Sequence, residues 1–261
     1  MPRHLLRAAF LAASVLVAGC GGGDEQTTQE HKNIKSELPA VRARAAEDMG
    51  RSGTAASGSA TAELLIAVRD DSPDVRMMAA QSLGQVPPKQ HEEVVPVLGD
   101  TLGDKDAKVR QKAALALSKI GPAAASAMDK LLALLRQGNA EDAWWACEAI
   151  GRIGPKAAGA VNDLIAQLNS PTVRNRTRAA WALGKIGPAA APAVPQLTQT
   201  LADKEVYPRL QAAIALGEIG PAAAPARDAL KVCLRDNNPA VRQSAARSLK
   251  QIDALPVGPN D

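Results

Sequence analysis

The 261-residue sequence predicts an all-α fold, a solenoid of helix–turn–helix units, and three observations carry the prediction. Hydrophobic residues make up 46% of the chain, yet only one Phe, one Tyr and three Trp are present, so the core must be built from Ala, Leu, Val and Ile. Alanine is the strongest helix former, and the β-branched and aromatic runs of sheet proteins are missing, which excludes sandwiches and barrels. An Ala-Ala or Ala-Cys pair then recurs at Ala45, Ala79, Ala113, Ala146, Ala179, Ala212 and Ala245, in steps of 33 or 34 residues. Self-similarity at that period marks stacked two-helix repeats, none of which can bury its apolar stripe alone.

At the N-terminus, Arg3 and Arg7 precede a stretch from Ala8 to Ala18 that is apolar except for Ser14, and Gly19-Cys20 follows. This reads as a signal peptide over residues 1–19. Its dozen or so apolar residues fall short of the roughly 20 that span a bilayer. The ending Val17-Ala18-Gly19-Cys20 resembles the bacterial lipobox, which implies cleavage before Cys20 and diacylation of its thiol, with stable membrane attachment. An ordinary secretory signal with a coincidental Cys20 is the alternative. In lipoproteins, Gly rather than Asp at residue 21 implies the outer membrane, so the expected location is the bacterial cell envelope, facing the periplasm. Residues 20–37 are polar and read as a flexible tether of about 20–25 Å root-mean-square reach. Loss of the signal leaves 29 Lys and Arg against 27 Asp and Glu, and this near-neutral balance argues against nucleic acid.

Four residues after the start of each Ala pair stands an apolar residue, usually followed by Gly, as in Leu83-Gly84, Ile150-Gly151 and Leu216-Gly217. Ile-Gly-Pro follows at Ile120, Ile153, Ile186 and Ile219 and stops the helix. A second apolar pattern, such as Val161 to Leu168 or Val194 to Leu201, predicts the partner helix. Polar turns rich in capping residues separate the two helices, as in Asp70-Asp71-Ser72-Pro73 and Asp236-Asn237-Asn238-Pro239. The predicted order is a signal (1–19), a tether (20–37), repeats over 38–253 consisting of an orphan helix and six helix pairs, and a tail (254–261).

Val75-Arg76, Val109-Arg110 and Val241-Arg242, each followed by an Ala pair, and the recurrent Leu-Gly and Ile-Gly-Pro signals resemble the HEAT-repeat superfamily. The resemblance is specifically to the short bacterial repeats also found in phycobilin lyases. It implies a right-handed α-solenoid in which the Val-Arg helix lines the concave face. It also implies an Asp–Arg ladder between repeats, built on Arg42, Arg76, Arg110, Arg176, Arg209 and Arg242, with acceptors such as Asp71, Asp104 or Asn237. The competing reading of these arginines is a basic surface for an acidic partner.

With the residue four before each Ala pair as position 0, positions 0, 4, 8 and 11 share one helix face and form the core stripe. Positions 3, 6 and 10, with position −1, fall opposite. They present Lys112, Leu115, Trp145, Glu148, Arg178, Trp181, Lys185 and Ile214, with Trp144 and Tyr207 at the border. A contiguous set of large side chains opposite a core stripe predicts a binding groove, with Trp145, Trp181 and Tyr207 as its floor and Lys112, Arg178 and Lys185 as its edge. The alternative is that superhelical curvature buries position 6 and makes Trp181 a packing residue.

No chemistry emerges from the remaining residues. The three His are His4, His31 and His91, without metal-ligand spacing, and His91 is expected in solvent. Cys147 and Cys233 are about three repeats apart, some 20–30 Å, too far for a disulfide, and are expected as buried thiols. No catalytic triad, phosphate loop or dinucleotide motif is present. The expectation is a monomeric, non-enzymatic, membrane-anchored scaffold with no cofactor and no metal, binding a protein in its groove. A bilin-lyase-like or other cofactor-handling protein, and a purely structural envelope spacer, are the alternatives.

Overall fold

The computed structural model describes residues 22–53, 57–137 and 139–253, and every regular element among them is helical. The inner layer consists of α2 (Pro39–Arg51), α4 (Pro73–Leu83), α6 (Ala107–Ile120), α8 (Ala140–Ile153), α10 (Val173–Ile186), α12 (Val206–Ile219) and α14 (Pro239–Asp253), each packed on the next. The outer layer is α1 (Gly22–Asn33), α3 (Gly58–Ala67), α5 (His91–Thr101), α7 (Met128–Arg136), α9 (Val161–Gln167), α11 (Val194–Thr200) and α13 (Arg227–Cys233). Each of these packs on the inner helix that follows it. The predicted signal, Cys20 and the tail lie outside the described residues.

Residues 22–33, expected within the tether, instead form α1, which supplies the outer partner of the supposed orphan helix α2. No apolar stripe announces this helix. Its docking rests on buried Ile34 just beyond its end and buried Glu30, while His31 and Lys35 both pair with Glu63 on α3.

Small side chains let the inner helices approach one another closely. Ala79, Ala113, Ala146, Ala179 and Ala212 are fully buried, as are Leu83, Leu117, Ile150, Leu183 and Leu216 four residues later. Serine adds a bond between neighbouring inner helices where Ser82 Oγ donates to the Ala46 carbonyl at 2.7 Å and Ser248 Oγ donates to that of Ala213 at 2.7 Å.

The Ile-Gly-Pro signals do more than stop a helix. Gly121, Gly154, Gly187 and Gly220 have φ between 68° and 77°, and each opens a 3-10 segment, such as Gly154–Ala160, that leads directly into the next outer helix. The ψ of −137° at Gly154 completes a conformation open essentially only to glycine. Pro at the next position loses nothing by lacking an N–H.

A ladder of arginines ties successive repeats at the N-terminal ends of the inner helices. Arg76 shows the pattern: its Nη1 donates to the carbonyls of Asp70 and Asp71 in its own turn, both at 2.9 Å. Its Nε and Nη2 grip the Asp104 carboxylate of the next turn at 2.7 and 2.9 Å. Asp104 in turn accepts the Asp106 N–H at 2.8 Å, closing its own turn. Arg42 with Asp70, Arg176 with Asp203 and Arg209 with Asp236 repeat this arrangement. Arg110 departs from it by reaching Asp142, inside α8, at 2.8 Å. Two expected acceptors are corrected. Asp71 and Asn237 offer only backbone carbonyls, to Arg76 and Arg242, because the first Asp of each turn is the one whose carboxylate faces the preceding repeat.

The ladder sets the ionisation of its acids. Arg42 holds Asp70, and Arg209 holds Asp236, below the usual carboxylate range. At Asp104 and Asp203 burial opposes ionisation, but the guanidinium and a backbone N–H outweigh it, so these pKa values are also lowered. An acid whose folded pKa is depressed contributes stability that is fully present above its unfolded pKa, near 3.8 here, and is lost as pH falls through the folded value. Thermal unfolding followed by circular dichroism is expected to show Tm falling steeply below about pH 4. Asp104→Asn lowers Tm at neutral pH and makes that acid-side fall shallower. In the same assay, Gly154→Ala costs about 1–3 kcal/mol from backbone strain, a drop of several degrees in Tm.

Candidate functional site

The predicted groove residues lie on the inner helices, but they do not form an open aromatic floor. Trp145 and Trp181 are half-buried and pack against the core, and the Trp145 indole N–H is buried without a hydrogen-bond partner among the described residues. Trp144 meets Trp145 edge-on, with ring centroids 4.6 Å apart. The Trp181 ring rests on Gly151 of α8 so closely that a Cβ there would collide with it. Position 6 of α10 thus faces its neighbouring helix, the arrangement that superhelical packing predicts.

The surface above the rings is cationic. Arg178 lies over Trp144 and Trp181, at 4.7 and 4.9 Å from the ring centroids. Arg174 lies 4.9 Å from Trp144, and Arg152 lies 5.5 Å from Trp181. Each such contact contributes about 0.5–1 kcal/mol when exposed and more when desolvated. Glu148, expected on the groove surface, is buried beneath the cations, pairing with Arg178 at 2.6 Å and Arg152 at 3.0 Å. Glu141 pairs with Arg174 at 3.2 Å. These contacts make one stack across α8 and α10.

Around the stack, Lys119, Arg152 and Lys185 are exposed at equivalent positions in the last turns of α6, α8 and α10. Lys185 also reaches Glu218 of α12, which ends the row. Lys112, Leu115 and Ile214 are half-buried. Tyr207 is 67% exposed, on a different helix from the stack. Helical phase missed Arg174, although it sits at the position −1 that singled out Tyr207. It also gave no sign that the guanidiniums would cover the rings.

Among the described residues, no group of three or more His, Cys, Asp or Glu could hold a metal ion. No described helix is long and apolar enough to cross a membrane. His91, expected in solvent, is half-buried with a ring nitrogen 3.2 Å from the Val86 carbonyl, because it begins α5 against the preceding turn. Cys147 and Cys233 are buried free thiols, and desolvation pushes the Cys147 pKa up to about 12.

The model of the HEAT-repeat family matches residues 61–141, 128–207 and 194–258. No curated protein matches the sequence. Among solved structures, an engineered protein is 24% identical with a TM-score of 0.61, covering 73% of this chain and 95% of its own. The complex of CpcE and CpcF of phycocyanin lyase from Nostoc sp. PCC7120 is 23% identical with a TM-score of 0.54, covering 94% and 98%. The archaeal HEAT-like repeats protein from Thermococcus onnurineus NA1 is 14% identical with a TM-score of 0.61, covering 87% and 96%. At these identities the likeness is one of fold. With matches running over most of its length and a helix pair in every period, the chain belongs to the HEAT-repeat family.

Proposed function

We propose that this protein is a non-enzymatic scaffold, anchored to the bacterial envelope through lipid on Cys20, that docks a protein segment on the concave face of its inner helices. The observation that carries the reading is the stack of Arg152, Arg174 and Arg178 on Trp144 and Trp181, flanked by Lys119 and Lys185. Arginine and tryptophan are the residue types that dominate interface energetics, and rings beneath the guanidiniums limit the side-chain entropy lost on binding. Because the cations lie outermost, the segment that fits is acidic, with carboxylates taking the guanidinium N–H groups that Glu141 and Glu148 leave free. The alternative of cofactor handling draws on the phycocyanin lyase neighbour, whose likeness is one of fold, and it conflicts with the export signal.

The test is photo-crosslinking in envelope fractions from a reactive residue at position 119 or 185, since Trp145 and Trp181 are packed. A discrete adduct that an acidic peptide competes away, and that Arg152→Glu weakens, is the expected result. Adducts at neither position, or adducts indifferent to Arg152→Glu, overturn the docking surface. The anchor is tested separately by labelled palmitate, whose incorporation is expected to disappear in Cys20→Ser.

A further inference from the structure

The arginine ladder has six junctions between successive inner helices, and five are filled by a guanidinium. At the junction of α8 with α10, Ala143 stands where the others have Arg. Ser170, 27 residues on, stands where Asp203 follows Arg176 and Asp236 follows Arg209. Ser170 keeps one part of the aspartate's work, its Oγ accepting the Thr172 N–H at 3.3 Å, and loses the charge. Both members of the ion pair are therefore gone. Clefts also open on the turn edge beside Arg76 and Asp104 and beside Arg209 and Asp236, but here the cleft, of about 340 Å3, is lined by Ala143, Ala166, Gln167, Ser170, Thr172 and Asn175 among others and holds no guanidinium.

Asn175 gives this cavity its chemistry. It is 2% exposed, and its Oδ1 is buried with no hydrogen-bond partner among the described residues. It stands 32 residues after Ala143, as Asp142 stands 32 residues after Arg110, whose guanidinium Asp142 accepts. An acceptor stands here without the donor that its counterpart Asp142 meets. A buried acceptor without a donor carries an uncompensated desolvation cost, which any ligand supplying an N–H relieves. No residue lining the cavity carries a charge, so nothing there recruits an anion. The equivalent space at the other five junctions holds a flat, forked N–H donor, whereas an ammonium is a strongly hydrated point charge.

We infer that this cavity is a socket for a planar N–H donor at the end of a partner's side chain, either an arginine guanidinium or the carboxamide of glutamine or asparagine. It lies at the turn edge of the solenoid and so constitutes a second docking point beside the inner-helix stack.

The test is a titration of the 15N-labelled chain, followed by two-dimensional NMR, with ethylguanidinium, propionamide, ethylammonium and acetate. Ethylguanidinium or propionamide is expected to shift the amides of Ala143, Ser170 and Asn175 in a saturable way, and the stronger of the two identifies the side chain. Asn175→Val restores the residue type of Val75, Val109 and Val241, so it leaves the fold intact, and it is expected to weaken binding about tenfold. Ala143→Arg fills the socket and abolishes the shifts. The inference is overturned by an absence of saturable shifts with either planar donor, which marks a water-filled gap only. Equal affinity in Asn175→Val, or ethylammonium matching the planar donors, overturns it as well.

Discussion

The guanidinium fork at the start of α2, α4, α10 and α12 joins two kinds of bond that a solenoid otherwise has to make separately. One arm closes the turn of its own repeat by taking two carbonyls, and the other two reach the carboxylate that closes the next turn. Each turn is thus shaped by its neighbour, and register passes along the chain one repeat at a time. This matters because contacts in such a fold are almost wholly between nearest neighbours, so its stability is a sum over repeats and the interfaces between them. An exposed ion pair would add little to that sum, but these arginines are largely shielded and held in bidentate geometry, where the bonds are shorter and stronger.

The inner layer depends on a second constraint, the scarcity of bulk. Fully buried alanines bring successive inner helices together, and Trp144 and Trp181 are displaced to the edge of the core, where arginines cover them. The consequence for recognition is a surface that concentrates positive charge on a rigid apolar bed, although the chain as a whole carries a formal charge of only +4. Net charge measured over 261 residues therefore says little about the few side chains a partner would meet.

Most of the repeat architecture was legible in the sequence because periodicity encodes it directly: the Ala pairs, the Ile-Gly-Pro stops and the Arg at position 1 each recur at one spacing. What periodicity does not encode is an element that lacks the pattern. Helix α1 has almost no apolar residues, and its docking depends on Ile34 and on charges that meet Glu63 from another repeat. Helical phase likewise says which way Trp181 points but not what lies there. That Gly151 leaves room for the ring, and that Arg152 of α8 comes to rest over it, are facts about two helices at once.

The missing rung at Ala143 sits at the junction that the Arg–Trp stack bridges from the inner face. At the other five junctions, force passing from one repeat to the next is carried along the turn edge by a forked arginine. Between α8 and α10 that edge is open, and the load path crosses to Arg178, which joins Trp144 and Glu148 of one helix to Trp181 of the next. Among the six junctions, five are thus fastened by an arginine at the turn edge and one by the stack.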